Sequence, residues 1–245
     1  MRHVGRLTVV VIAVLAALAG TMMSLAYDRE PPRLAHYSSE FPPRIGFILD
    51  RSSELAKLRF DGTEEILILR LQYAAGNDRL LLRDDGEVLL RISGLGGITL
   101  FTAENRRGVP VAPDSIQVAP LGAVAPPITF VREMAGRIMR QLQAETGREI
   151  VFEANWGHAA GDAGARGLLF DAIRNTGTAL LLMTRIPQGR AGIINNLRGV
   201  RFMPGQLPST YFQGNMLIVV FSVGHGMAGR PSSHAIQRQL RQIIR

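Results

Sequence analysis

The chain has 245 residues, a formal net charge of +8 and no cysteine, and 27 of its 28 basic residues are arginine. The absence of cysteine excludes disulfides, zinc–thiolate sites, cysteine nucleophiles and a lipid attached to a cysteine. The charge is dispersed without blocks, which is typical of a solvated surface; attraction to anionic surfaces is the alternative interpretation. Nucleic acid is not an expected partner, because no stacking aromatics are interleaved with the arginines.

The first 26 residues have the layout of a secretory signal peptide. Arg2 and Arg6 precede an apolar run, and Ser24 and Ala26 supply the small residues of a cleavage site. The uncharged run Leu7–Tyr27 is also close to the ~20 residues that span a bilayer, so an uncleaved anchor of the inner membrane is the alternative. Under both interpretations the positive-inside rule sends the rest of the chain across the membrane, and we expect a periplasmic protein.

The next segments predict a tail followed by a β-rich domain. Residues 27–43 are rich in proline and serine, which predicts a disordered tail. In residues 44–103, short apolar runs alternate with Asp-Gly and Gly-rich turns at a spacing of about ten residues. This pattern predicts an antiparallel β-meander that is closed or packed as a small barrel or sandwich.

The rest of the chain predicts a linker and then a mixed α/β domain. Residues 104–127 contain five prolines and predict a linker, and residues 128–245 alternate helical and strand patterns. The fold class is therefore α+β. Helices are predicted from Ile128 to Gly147, from Asp162 to about Gly177, and from Ser232 to the C-terminal Arg245; strands are predicted at Glu149–Ala154, Ala179–Met183, Val200–Met203 and Met216–Ser222, the last two as a hairpin.

Four arginines of the meander lie in similar local patterns. Arg59, Arg70, Arg83 and Arg91 each follow a leucine, so period-two alternation puts each on the face opposite to that leucine. If the strand register aligns them, the solvated face carries a stripe of guanidinium groups that could bind an anionic surface. An ordinary wet sheet face is the simpler interpretation.

The loop after the strand at 149–154 holds the sharpest polar cluster. An enzyme would use His158 as a general base beside Glu153 or Asp162, with Trp156 as a binding surface. No motif of a nucleophile or metalloprotease completes such a site. The simpler interpretation is a strand-to-helix loop with a packed tryptophan and a solvated histidine.

Three other patterns carry no site prediction. The G-x-G-x-x-G match at 224–229 lacks the following βαβ unit and acidic residue, so no nucleotide cofactor is expected. The Asp-Asp-Gly-Glu at 84–87 reads as a tight turn rather than a calcium loop. A metal site at His158, His225 and His234 would need a convergence that spacing cannot show, so no metal and no cofactor are predicted.

Several short segments resemble a known family. They are Pro43–Asp50, Leu58–Gly62, Arg83–Leu90, Leu95–Phe101 and Ala228–Ser233. Together they resemble an uncharacterised alphaproteobacterial family of exported proteins, a domain of unknown function, over about residues 43–245. The resemblance implies no catalytic residues, and it implies a non-enzymatic role in the cell envelope.

The leading functional expectation is therefore an exported envelope protein that binds a partner without chemistry of its own. The expected contacts are another envelope protein, an envelope polymer such as peptidoglycan, or the membrane surface. The first alternative is a hydrolase that acts on an envelope polymer through the loop at 153–162. The second alternative is a peripheral protein that binds anionic lipid.

Overall fold

The fold is described from a computed structural model, which covers residues 30–40, 42 and 44–244. The first half is a closed barrel of eight antiparallel strands, in which each strand pairs with the next and the last returns to the first. This confirms the predicted meander and its closure as a small barrel. The strands are β1 (Leu34–Ser38), β2 (Gly46–Asp50), β3 (Ala56–Phe60), β4 (Leu67–Tyr73), β5 (Arg79–Leu82), β6 (Val88–Ile92), β7 (Ile98–Leu100) and β8 (Val109–Pro113).

Alternation of apolar and polar residues builds the barrel core. Leu58, Leu69 and Leu81 are fully buried in one hydrophobic cluster, together with residues from every other strand. The Asp-Gly turns close two of the hairpins, and Gly62 and Gly86 take φ values of 71° and 87°. This left-handed backbone favours glycine, so the turn residues set the strand lengths.

Two strands lie in segments for which the sequence predicted no regular structure. β1 lies inside the predicted tail at 27–43, and β8 lies inside the predicted linker at 104–127. Both predictions are wrong at these strand residues. The reason is closure: β1 and β8 pair with each other and with β2 and β7, so long-range hydrogen bonds outweigh a proline-rich composition. The predicted signal peptide lies outside the described residues.

The second half packs helices against one face of a four-stranded sheet. The strand order is β11-β12-β10-β9, with the first pair antiparallel and the others parallel. One hydrophobic cluster joins the inner face of the sheet to the helices. The elements are α1 (Ile128–Thr146), β9 (Val151–Ala154), α2 (Trp156–Gly161), α3 (Ala163–Thr184), α4 (Pro187–Asn196), β10 (Gly199–Pro204), β11 (Ser209–Gln213), β12 (Met216–Phe221) and α5 (Ser233–Leu240).

The second helix is longer than the sequence predicted. α3 continues through Gly177 and includes the run Ala179–Met183, so the prediction of a strand there is wrong. A Cβ atom on Gly177 would lie 2.8 Å from Cδ1 of Ile138, so this glycine gives room for the neighbouring helix α1 instead of ending α3. A short apolar run does not distinguish a buried strand from a buried helix, which explains the error.

The predicted hairpin of the last two strands is also wrong. β10 and β12 are parallel neighbours, because β11 returns the chain between them and pairs with β12 instead. The helix α4 was not predicted, and neither was the short helix α2, which occupies Trp156–Gly161 where the sequence predicted a loop. Among the helices of the described residues, none combines the length and the apolar character needed to cross a membrane.

A short segment before α5 joins the two halves. Ser232 donates from both its N–H and its hydroxyl to Asp84, and Ser233 donates in the same way to Glu65. Both carboxylates belong to hairpin loops at one end of the barrel. The second half therefore donates charge-assisted hydrogen bonds to carboxylates of the barrel, and these bonds hold the two halves together.

Candidate functional site

The candidate catalytic residues lie around the carboxyl end of β9, but each has a separate role. Glu153 lies on the strand, and its Oε2 accepts a hydrogen bond from Nε of Arg201 at 2.7 Å. Both side chains are about half exposed. The carboxylate is therefore engaged by the neighbouring strand β10 and not by His158.

The other two members of the predicted trio begin or flank helices. Asn155 caps α2 by accepting from the N–H of His158, and Asp162 caps α3 by accepting from the N–H of Ala165. This backbone hydrogen bond, the largest influence, lowers the pKa of Asp162. The His158 side chain is exposed and makes no hydrogen bond within the described part of the chain.

Trp156 opens α2 and packs partly against the core of the second half. The guanidinium carbon of Arg132 lies 5.6 Å from the centre of its ring, within the range of a cation–π contact. The ring is therefore held between the core and a helix α1 arginine. This placement agrees with a packed tryptophan.

The four arginines of the barrel do not form a continuous stripe. Arg59 stands opposite Ile48, Arg70 opposite Leu82, and Arg91 opposite Leu80, so no two of them are cross-strand partners. Arg83 lies just after β5 and pairs with Asp85, and Arg91 pairs with Asp78. Two of the four are thus neutralised locally.

The histidines of the second half do not converge on a metal. Nδ1 of His225 lies 2.8 Å from the hydroxyl of Ser222, whereas His234 lies in the seam between the halves. Within the described residues, no group of three or more histidine, aspartate or glutamate side chains could hold a metal ion. The glycine-rich stretch 224–229 lies in a 3-10 segment, Val223–Gly229.

Glu153 and Arg201 lie on the outer face of the four-stranded sheet, which is the face opposite to the helices. Side chains of β9, β10, β11 and β12 alternate between the helix-covered face and this outer face. On it Ile218 and Val220 are buried, and neither belongs to the hydrophobic cluster that joins the sheet to the helices of the described residues. The exposed apolar members are Val151, Met203 and Tyr211.

A shallow crevice of about 430 Å³ lies where this outer face meets the carboxyl ends of β9 and β10. Glu153, Asn155 and Arg201 supply its polar atoms, and Met203 and Pro204 are among its apolar lining. Loops at the carboxyl ends of parallel strands are frequent binding positions. The candidate site therefore consists of the outer face together with this crevice.

Sequence reasoning missed two polar clusters in the barrel. His36 is buried between Asp61 and Asp114: Nε2 lies 2.9 Å from Asp61, and Nδ1 is bound to Asp114. Burial favours the neutral imidazole, but hydrogen bonds to Asp114 and Asp61 outweigh it and raise the pKa of His36. Gly46 gives Asp61 room to reach the ring, since a Cβ there would lie 2.0 Å from the carboxylate.

The second missed cluster contains the single lysine of the chain. Nζ of Lys57 lies 3.2 Å from the carboxylate of Asp50 and donates to the carbonyl of Leu121 at 2.8 Å. Burial would raise the pKa of Asp50, but hydrogen bonds from Ser52, Leu121 and Lys57 outweigh it and lower this pKa. The sequence offered one signal for this cluster, which is a single lysine among 27 arginines. A lysine that is kept where every other basic residue is arginine indicates a confined position, because its ammonium group is compact.

Comparison with known proteins adds a family. A family model described as a domain of unknown function (DUF4908) matches residues 17–240. No curated protein matches the chain, and no solved structure matches it.

Proposed function

The chain belongs to the family of the domain of unknown function DUF4908, and we propose that it is an exported protein of the cell envelope that binds a partner without chemistry of its own. The signal-like N-terminus supports export to the periplasm. The alphaproteobacterial and exported character implied by the sequence resemblance belongs to the same proposal. The surface that binds is the outer face of the four-stranded sheet.

The open outer face is the observation that carries the proposal. All-parallel sheets occur almost only with both faces covered, because their strands are apolar on both sides, and three of the four strands here pair in parallel. Here β12 is apolar along its whole length, and Ile218 lies on the face opposite to the cluster that joins the sheet to the helices of the described residues. A partner that covers Val151, Met203 and Tyr211 would complete the usual arrangement.

The chemistry of this face favours a protein as the partner. Its charged strand residues, Glu153 on the edge strand β9 and Arg201 on β10, form one balanced ion pair at 2.7 Å. A balanced pair among apolar side chains gives no net attraction to a polyanion or to an anionic lipid surface. Methionine, tyrosine and arginine, in contrast, are enriched in protein–protein interfaces. The partner is therefore another envelope protein with an apolar patch.

The hydrolase alternative has less support from the geometry. Glu153 is paired with Arg201, Asp162 caps a helix, and His158 makes no hydrogen bond among the described residues. A general base needs an orienting group and a reacting proton within hydrogen-bond reach. Among Glu153, His158 and Asp162, no two side chains are hydrogen-bonded to each other, so neither carboxylate orients the imidazole.

Photo-crosslinking in living cells tests the proposal. A benzophenone amino acid replaces Tyr211 on the outer face or, as a matched control, Phe130 on α1, since both are 43% exposed. We expect a discrete adduct with an envelope protein from position 211 and none from position 130. The adduct should disappear when Met203→Lys is added, because a charge then stands within the apolar contact.

Two results would overturn the proposal. Equal adducts from both positions would show that contact is non-specific. Recovery of the protein in the cytoplasm, or adducts with cytoplasmic proteins only, would remove export. Cell fractionation of the same samples gives the compartment.

A further inference from the structure

The two ends of the barrel face different surroundings. The hairpin loops at 61–66 and 83–87 lie at the end that binds the second half through Glu65 and Asp84. The loops at 51–55, 74–78 and 93–97 lie at the other end, with the beginning of β1. We call this other end the distal rim.

The distal rim presents apolar side chains to solvent. Tyr73 is 74% and Leu95 is 77% exposed, which makes them the two most exposed large apolar residues of the described chain. Single exposed apolar residues need no explanation, but these two stand on neighbouring hairpins. The hairpin tips touch, since a Cβ on Gly94 would lie 2.6 Å from the carbonyl oxygen of Gly76. Leu71, two residues before Tyr73 on β4, and Leu55, in the loop at 51–55, are exposed as well.

The charges at the rim permit contact with an anionic surface. Arg79 and Arg51 bind Glu30 at 2.8 Å and 3.5 Å, and Arg91 binds Asp78 at 2.6 Å. The exposed Arg33 adds a fourth arginine, so the arginines outnumber the carboxylates Glu30, Glu54 and Asp78. Electrostatic attraction is modest here, and the apolar side chains carry the contact. Tyrosine and arginine are also the residues that favour the membrane interface.

The chain enters the fold at the same rim. Glu30 is fixed there by Arg79, and the guanidinium of Arg51 also donates to the carbonyl of Pro31 at 2.6 Å. In the sequence, the uncharged run Leu7–Tyr27 ends three residues before Glu30. Three residues reach at most about 10 Å, so a bilayer that holds this run lies within contact distance of the rim.

From these positions we propose that the Leu7–Tyr27 run stays uncleaved as a membrane anchor, and that the distal rim is a membrane-contact surface occupied by the anionic bilayer that holds this run. Tyr73 and Leu95 enter the interfacial region, and the rim arginines meet the headgroups. The loops at 61–66 and 83–87, which bind the second half through Glu65 and Asp84, lie at the opposite end of the barrel. This inference goes beyond the proposed function, and it holds whether or not the outer face of the sheet has a partner.

The cysteine-free sequence allows a clean test. The full chain carries one cysteine, as Leu95→Cys or, as the control, Leu207→Cys, which replaces a leucine 66% exposed in the loop before β11. Each cysteine is labelled with an environment-sensitive fluorophore. Each chain is then reconstituted with vesicles of phosphatidylcholine and phosphatidylglycerol. Quenchers attached to the lipids report whether the label reaches the bilayer.

We expect the label at 95 to shift to shorter wavelength and to be quenched severalfold more than the label at 207. A Tyr73→Cys chain should behave like the first. Equal quenching at 95 and 207 would overturn the proposal, and so would failure of the full chain to bind the vesicles. The double variant Tyr73→Ser/Leu95→Ser is tested after circular dichroism shows that it is folded. On vesicles, its rim loops should be cut by added protease more readily than those of the unmodified chain. Unchanged protection of these loops would also overturn the proposal.

Discussion

Arg230 and Asp171 form a buried ion pair at the seam between the two halves. Nε of Arg230 donates to Asp171 at 2.8 Å, and both side chains are almost completely buried. The same guanidinium donates to the carbonyl of Ile66 at the start of the barrel strand β4. One side chain therefore connects the helix α3 to the barrel.

Removal of this guanidinium should destabilise the whole chain. Arg230→Leu leaves Asp171 with Arg174 as its remaining cationic partner and leaves the Ile66 carbonyl unsatisfied. We expect a loss of about 3–5 kcal/mol in the free energy of unfolding, measured by denaturant titration. The control is Arg201→Leu, which breaks a half-exposed pair and should cost at most about 1 kcal/mol. Equal losses would show that burial of the seam pair is unimportant.

The His36 cluster should make stability depend on pH. Its pKa is raised in the folded state, so the proton is bound more tightly after folding. The stabilisation is complete below the unfolded value of about 6.5 and is lost as the pH rises through the raised folded value. We expect His36→Gln to remove this decrease in the free energy of unfolding, measured by denaturant titration at a series of pH values. His158→Gln, at an exposed position, should leave the decrease unchanged.

His234 should act in the opposite direction. Desolvation, the largest influence, and the charge of Arg83 lower its pKa in the folded state. The folded chain therefore favours the neutral form of His234. Its contribution to stability is complete above the unfolded pKa of about 6.5 and is lost as the pH falls through the lowered pKa of the folded state. His234→Gln should flatten the acid side of the pH–stability curve. A steeper acid loss in this variant would contradict the assignment.

Gly177 should resist substitution although it lies inside a helix. Alanine normally stabilises a helix interior relative to glycine by roughly 0.5–1 kcal/mol. At Gly177 the new Cβ would overlap three atoms of Ile138, so we expect Gly177→Ala to cost about 1–3 kcal/mol. Gly136→Ala in α1, where the new Cβ would meet only Nη1 of the flexible Arg140 side chain at 3.4 Å, should stabilise the protein. Adding Ile138→Ala should make the change at Gly177 favourable.

The hydrolase alternative predicts a measurable activity that depends on the loop at 153–162. If the binding function is correct, the purified protein should release no fragments from isolated peptidoglycan above a heat-denatured sample. His158→Ala and Glu153→Gln should then give the same background as the wild type. Fragment release that His158→Ala abolishes and Arg132→Ala preserves would support the enzyme and contradict the binding function.

Local patterns in the sequence were sufficient for much of the barrel and for several helix ends. The Asp-Gly turns before Gly62 and Gly86 act through their own backbone, so they could be recognised without the rest of the fold. Gly147 ends α1 in a left-handed conformation for the same reason. The cap at Asp162 was recognised too, because the next helix begins directly after it, but Trp156–Gly161, predicted as a loop, forms the short helix α2.

Other features depend on residues far apart in the chain. Gly177 is predicted as a helix end from the sequence, but in the fold it makes room for Ile138 of the neighbouring helix. Barrel closure brings Asp61 and Asp114 to the two ring nitrogens of His36. The segment 228–233, one of the resembling motifs, is now seen to bind the barrel through Ser232 and Ser233.

The sequence by itself determined the α+β class, the absence of cysteine chemistry, and the apolar N-terminal run with its implication of export. The tertiary structure decided that β1 and β8 close the barrel, that Ile218 lies on the face of the sheet away from the helix cluster, and that Tyr73 and Leu95 stand on touching hairpins at one rim. The physical reason is the range of the forces that set each feature. Turns, caps and alternation act between near neighbours, whereas closure and exposed faces depend on which distant segments remain to pair and to pack.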